Sequence, residues 1–247
     1  MTLERAWLVL GGSSAIARAF ARVAAEEGSD VLLAGRDLED LERTARDLRV
    51  RYGRAAEAIA FDATDVASHA AFVETVRSRA DRFDVMLAFG LMPTQPSIDA
   101  DPHLGIEAIA ATYTGAASVL LHLTPALERQ GEGRVIVVGS VAGDRGRLKN
   151  YVYGSAKAGL HAFAQGLRAR LFRAGVQVTT VKPGFIDTAM TFGMKTGPLM
   201  ASPEACARAC LRQARRGREV AYYPPVWRLI MLIIKHIPEP LMKRMSF

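Results

Sequence analysis

Tyr153 and Lys157 stand four residues apart at the start of a long helix-forming stretch, a spacing that stacks both side chains on one face. That pairing has a chemical use. A free phenol, with a pKa of about 10, exchanges protons poorly near neutrality, and a neighbouring ammonium stabilises its phenolate. Thirteen positions before the tyrosine, the apolar run 134–139 ends in Gly139-Ser140. The C-terminal end of a buried strand is where a parallel sheet meets its ligands, so a hydroxyl there joins phenol and ammonium as a candidate reacting group. The three suit general acid/base chemistry.

A second cluster is built to hold rather than to react. Gly11-Gly12-Ser13-Ser14-Ala15-Ile16-Ala17 follows an apolar run and opens a helical stretch. A turn of small residues lets backbone N–H groups and a helix N-terminus approach a pyrophosphate. The next apolar run ends in Ala34-Gly35-Arg36-Asp37. Dinucleotide sites that prefer NAD place an acid there for the ribose 2′-hydroxyl; here Gly35 takes that place and Arg36 follows. A guanidinium grips a 2′-phosphate bidentately, so the expected cofactor is NADP, with NAD as the alternative. Asp37 reads as the N-cap of the helix beginning near Leu38.

Positioning these groups requires alternating elements. Apolar runs near 6–10, 30–34, 57–61, 84–88, 134–139, 176–182 and 218–223 read as strands buried on both faces. Amphipathic stretches near 14–28, 37–52, 66–81, 102–130, 152–174 and 203–216 read as helices. The pattern predicts a doubly wound α/β (Rossmann) fold, seven parallel strands with helices on both faces. No linker or repeat divides the 247 residues. A single dinucleotide-binding and catalytic domain is expected over 1–225, followed by an apolar and basic helical appendage over 226–247.

Composition narrows the function classes. Cys206 and Cys210 lie four apart in a helical stretch and read as a buried thiol pair of a reducing cytosol. The five histidines show no metal-ligand spacing, and no metal is expected. No run is expected to reach the roughly 18 apolar residues of a membrane span. Of the net charge of +7, most lies from Ser202 onward, where nine basic residues face three acidic ones. The segment Val226–Pro238 adds Trp227, Arg228 and Lys235 to the apolar run Leu229–Ile234. Greasy and basic together, it reads as a membrane-surface contact, a lid or a subunit interface. Nucleic acid is not expected, because aromatic residues are not interleaved with the charges.

The Gly11 turn, Asp62 after the third strand, Ser140, Tyr153-x-x-x-Lys157 and Lys182-Pro183-Gly184-Phe185-Ile186-Asp187-Thr188 occur in an order that resembles the short-chain dehydrogenase/reductase family over nearly the whole chain. The resemblance implies hydride transfer between a nicotinamide cofactor and a ketone or secondary alcohol. It makes Tyr153 the general acid/base, and Lys157 the group that lowers its pKa and holds the nicotinamide ribose. It gives Ser140 the substrate oxygen, Asp62 the adenine, and Pro183, Gly184, Ile186 and Thr188 the nicotinamide amide. The turn residues Gly11, Ser13, Ser14, Ala15 and Ile16 would hold the pyrophosphate, with Arg36 at the 2′-phosphate and Gly90 at the end of the fourth strand. A homodimer or homotetramer is implied as well.

Departures from the family pattern are visible too. Ala15 and Ala17 replace two glycines, Leu87-Ala88-Phe89-Gly90 stands where Asn-Asn-Ala-Gly is usual, and Thr112 replaces the asparagine of a water relay to the lysine. Ala88-Phe89-Gly90-Leu91, the sequence around Tyr153 and the C-terminal segment are similar to the decaprenylphosphoryl-2-keto-pentose reductases. That likeness implies a lipid-linked keto sugar as substrate and a cytoplasmic place at the inner face of a membrane. A reductase of soluble or acyl ketones, and a nucleotide-binding sensor or scaffold with little turnover, are the alternatives.

Overall fold

A computed structural model describes residues 2–193 and 197–246. Met1 and 194–196 of the expected main body, and Phe247 of the expected appendage, lie outside the described residues.

The strands are β1 (Leu3–Leu10), β2 (Asp30–Gly35), β3 (Ala56–Ala60), β4 (Ala80–Leu87), β5 (Gly133–Val138), β6 (Val176–Pro183) and β7 (Val220–Tyr223). They form one parallel sheet in the order β3-β2-β1-β4-β5-β6-β7. The continuous apolar runs have the expected cause. Leu8 and Leu10 of β1, Val85 and Leu87 of β4, and Val135 and Val137 of β5 point into one core. Trp7, Val9, Met86, Ile136 and Val138, between them in sequence, point into the other. Alternate residues thus fill opposite layers, each fully buried Leu or Val contributing roughly 1.5–3 kcal/mol.

The first core is roofed by α3 (His69–Arg79), α6 (Gly115–Gln130) and α7 (Tyr151–Phe172); the second by α1 (Ala15–Glu26), α2 (Leu38–Tyr52) and α8 (Pro203–Arg215). Ser14 caps α1, Asp37 caps α2 and Ser202 caps α8, each accepting a backbone N–H within the first turn. The doubly wound fold is the one expected. Cys206 and Cys210 are free thiols, both buried.

Three features depart from expectation. A short helix α4 (Gln95–Ala100) precedes α5 (Pro102–Ile109), hidden in the sequence by flanking prolines. A π turn, Ala110–Thr114, joins α5 to α6. The resulting run Pro102–Gln130 is 29 residues long and holds a stretch apolar enough to cross a membrane by length and composition, contrary to the expectation of no such run. Ala116, Val119, Leu120, Leu123 and Leu127 along it are buried against the sheet, which makes it a core helix.

Beyond β7 lie α9 (Val226–Lys235) and α10 (Glu239–Met242). Trp227 and Met231, one turn apart, seat α9 on Val141 and Phe185, while Leu229, Leu232 and Ile233 are about 60% exposed. Arg145 ties the segment down by an ion pair with Glu239 at 2.5 Å and a hydrogen bond to the Ile237 carbonyl at 3.3 Å. Part of the basic surplus is consumed within the fold, since Arg208 pairs with Glu26 and Arg215 with Glu27 where α8 packs on α1.

Candidate active site

The C-terminal ends of β4, β5 and β6 bring the predicted reacting groups together. Ser140 follows β5 in extended backbone, and its hydroxyl accepts the Ala142 amide at 3.1 Å, capping the turn Val141–Asp144. Tyr153 and Lys157 project from the first two turns of α7, both buried. The Lys157 ammonium lies 5.8 Å from the Tyr153 ring centroid and donates to the Val138 carbonyl at 2.9 Å.

Burial acts on the two groups with opposite sign. It raises the phenol of Tyr153 to about 12, against a smaller opposing pull from a hydrogen bond with Ser140. It lowers Lys157 to about 8, because burial strips water from its ammonium. The expected lowering of the phenol by Lys157 is therefore not what the protein alone supplies. Its own downward pull comes from Ser140.

Thr112 is buried in the π turn beside this cluster. Its hydroxyl accepts the Leu91 amide at 2.9 Å and donates to the Leu91 carbonyl at 3.3 Å, pinning the loop after β4. A Cβ on Gly90 would lie 3.2 Å from that hydroxyl and 3.6 Å from the Lys157 nitrogen, so glycine lets Thr112 and Lys157 share the space.

The nucleotide end fits a dinucleotide. Gly11 has φ +82°, a left-handed conformation that favours glycine, and a Cβ there would come within 2.7 Å of Phe89 Cβ. Ser14 donates to the Ala88 carbonyl at 2.8 Å, lashing the turn to the end of β4. The amides of Ala15 and Ile16 sit in the first turn of α1, where no intrahelical acceptor exists. Ser13 and Arg36 are exposed, and the Arg36 side chain makes no hydrogen bond or ion pair among the described residues. Its charge reaches Asp62, whose carboxyl is held below its usual range first by the Thr64 amide and then by the Thr64 hydroxyl. Both Thr64 groups use the same oxygen, at 2.8 and 2.7 Å. His69 is buried and donates from Nε2 to the Asp62 carbonyl at 3.1 Å, which holds that loop in place.

The segment after β6 closes the site. Gly184 donates to the Tyr223 carbonyl at 2.9 Å, Ile186 is buried and bridges to Ala201, and Thr188 folds back on Thr191. A Cβ on Gly184 would fall 1.9 Å from Trp227 Nε1. This glycine thus has a packing duty toward α9 that its motif does not disclose.

A family model described as short chain dehydrogenase matches residues 5–197. The chain belongs to the short-chain dehydrogenase/reductase family. As a member it is an oxidoreductase, and its relatives agree. An uncharacterized oxidoreductase of Mycobacterium tuberculosis (strain H37Rv) is 35% identical over 239 residues, covering 96% of each chain. Another, from Streptomyces coelicolor, is 37% identical over 244 residues, covering 98% of this chain and 96% of the relative. A short-chain dehydrogenase from Sphingobium yanoikuyae, solved in complex with NADPH, matches with a TM-score of 0.81 and 26% identity over 99% of this chain and 97% of that one. A variant of an actinorhodin polyketide ketoreductase with NADPH has a TM-score of 0.79 at 23% identity, over 90% of this chain and 97% of that one, and shares the fold.

Within this family framework, the sequence did not single out Asp144, His161 or Tyr222, nor assign a role to Lys182. His161 continues the stripe Tyr153, Lys157, His161 at four-residue spacing on α7, a signal present in the sequence. Its partners are set by tertiary structure. The Asp144 carboxylate accepts Lys182 at 2.5 Å and the Tyr222 hydroxyl at 2.6 Å, contacts 38 and 78 residues apart in sequence.

Proposed function

We propose that this oxidoreductase reduces a ketone to a secondary alcohol with NADPH. The observation that carries the proposal is the convergence of Ser140, Tyr153 and Lys157 at the ends of β5 and α7, with Gly90 and Thr112 alongside. The NADPH bound by the Sphingobium yanoikuyae relative supports the cofactor, as does the exposed Arg36. The residues fit that group: the Gly11 turn and the amides of Ala15 and Ile16 would take the pyrophosphate, Arg36 the 2′-phosphate, Asp62 the adenine side, and Pro183 to Thr188 the nicotinamide side. The cofactor supplies the hydride. Tyr153 supplies the proton, and its phenol is protonated across neutral pH, as an acid in the reducing direction must be. Ser140, whose oxygen accepts the Ala142 amide, would donate its own proton to the carbonyl oxygen. Lys157 keeps a positive charge below about pH 8 and would hold the ribose; Thr112 steadies the loop between them.

For the substrate, we read a keto sugar carried on a polyprenyl phosphate, met by a main body over 1–225 and an appendage over 226–247. Support comes from the bare side of α9, with Leu229, Leu232 and Ile233, beside the cations Arg228, Lys235 and Lys243, which have no acidic partner among the described residues. This reading places the protein at the cytoplasmic face of a membrane. A homodimer or homotetramer would cover Ile106 and Leu121, exposed along α5 and α6.

The test is NADPH oxidation with a panel of ketones, soluble and lipid-linked, comparing wild type with Tyr153→Phe. Loss of the acid should lower kcat by roughly 10²–10⁴-fold while cofactor affinity is kept. A variant as active as wild type would remove Tyr153 from the chemistry, and preference for a soluble ketone would remove the lipid.

A further inference from the structure

The imidazole of His161 is wedged around the serine. A Cβ on Gly139 would lie 2.3 Å from its Nε2, and one on Gly143 2.8 Å from its Cε1. The glycines on either side of Ser140 therefore make room for this ring. The Ser140 amide donates to His161 Nε2 at 3.3 Å, and Nδ1 faces Asp144 Oδ1 at 3.6 Å. An amide only donates, so Nε2 must be bare and the imidazole proton must sit on Nδ1, toward the carboxylate.

The surroundings select that neutral form. Lys182 and Lys157 flank the ring, Asp144 is the one carboxylate against it among the described residues, and burial comes first among the causes that lower it to about 3. Asp144 is itself fully engaged. One oxygen takes Lys182 on β6 and the other Tyr222 on β7, and the Lys182 nitrogen lies 5.6 Å from the Tyr222 ring centroid. Without the carboxylate, Lys182 would be a buried, uncompensated cation in the same neighbourhood as Lys157.

We propose that His161 and Asp144 are positioning residues for Ser140: the imidazole holds the serine amide, and the carboxylate fixes the imidazole tautomer while anchoring β6 and β7. One alignment is then shared by the serine hydroxyl, the Pro183–Thr188 segment and the seat of α9, where Tyr222 packs with Trp227. The inference rests on the ketone-reductase reading for its kinetic consequence and on geometry alone for its tautomer.

The experiment has two arms. In the kinetic arm, His161→Leu should lower kcat by roughly 10²-fold with the KM for NADPH little changed, as expected for a misplaced reacting group. His161→Gln, whose side-chain oxygen can accept the same amide, should recover most of that loss. Asp144→Asn should lose kcat as the leucine variant does, and decides the matter if the leucine variant does not fold. A leucine variant with wild-type kcat beside an inactive Tyr153→Phe would overturn the positioning role and leave the reductase reading standing. An active Tyr153→Phe would overturn the reductase reading instead. In the second arm, ¹⁵N NMR of the imidazoles needs no turnover. His161 should carry its proton on Nδ1 from about pH 5 to about pH 8. A proton on Nε2, or an imidazolium at about pH 5, would overturn the proposal.

Discussion

Tyr153, Lys157 and His161 occupy successive turns of one helix and are all buried, yet burial drives each toward the form its neighbours can use. The phenol is held protonated, the ammonium is made easier to neutralise, and the imidazole is kept uncharged. At the other end of the site, Arg36 is exposed and makes no hydrogen bond or ion pair among the described residues, so its side chain is open to what binds beside it. Arg36→Asp should weaken NADPH binding and shift preference toward NADH, because a carboxylate repels a 2′-phosphate and accepts a 2′-hydroxyl. Isothermal titration with both cofactors checks this; equal affinity for the two in the wild type would contradict it. The proposed reacting and cofactor-holding residues were legible because their motifs are local, four residues apart in one case and contiguous in another. Asp144 was not, because its partners come from β6, β7 and α7, and no spacing along the chain records that meeting.

Elements were legible to the extent that one pattern governed them. Strands buried on both faces gave unbroken apolar runs, and Asp37, which reads as an N-cap, caps its helix in the structure. The π turn at Ala110–Thr114 left no such mark, since its residues continue the apolar spacing of the helices around it. Gly184 shows how a motif can hide a second duty. Its missing side chain admits the Trp227 indole, so Gly184→Ala should destabilise the fold by about 1–3 kcal/mol through overpacking. The same substitution in a Trp227→Ala background should cost much less, because the clashing partner is gone. Urea unfolding of the four proteins measures the difference; equal costs in both backgrounds would show that Trp227 is not the obstacle.

For the whole molecule, the distribution of charge and apolar surface separates two sides. Ion pairs between α8 and α1 absorb Arg208 and Arg215, while Arg228, Lys235, Lys243 and Arg244 have no acidic partner among the described residues. Each such cation near an anionic bilayer contributes about 1 kcal/mol, to which the bare side of α9 would add buried area. Full-length protein should therefore sediment with vesicles containing anionic lipid, and less so as salt rises. The triple substitution Leu229→Gln, Leu232→Gln and Ile233→Gln spares Trp227 and Met231 and should release it. If the variant sediments equally, the exposed face of α9 does not meet lipid.

The strand order has a kinetic consequence. β1, at the centre of the sheet, finds one neighbour in β2 and the other in β4, pairing Leu8 with Val85 across the whole of the first nucleotide-binding half. Closing so long a loop costs entropy before any contact returns it, which makes assembly of a parallel sheet slow. Gly11, Asp62, Thr112 and Gly184 each sit on a different connection of that sheet, and Ser140 and Tyr153 share a further one. A refolding chain is therefore expected to regain a competent centre only once all of these connections have met. Recovered turnover would report the last event of folding, long after most of the helical signal has returned.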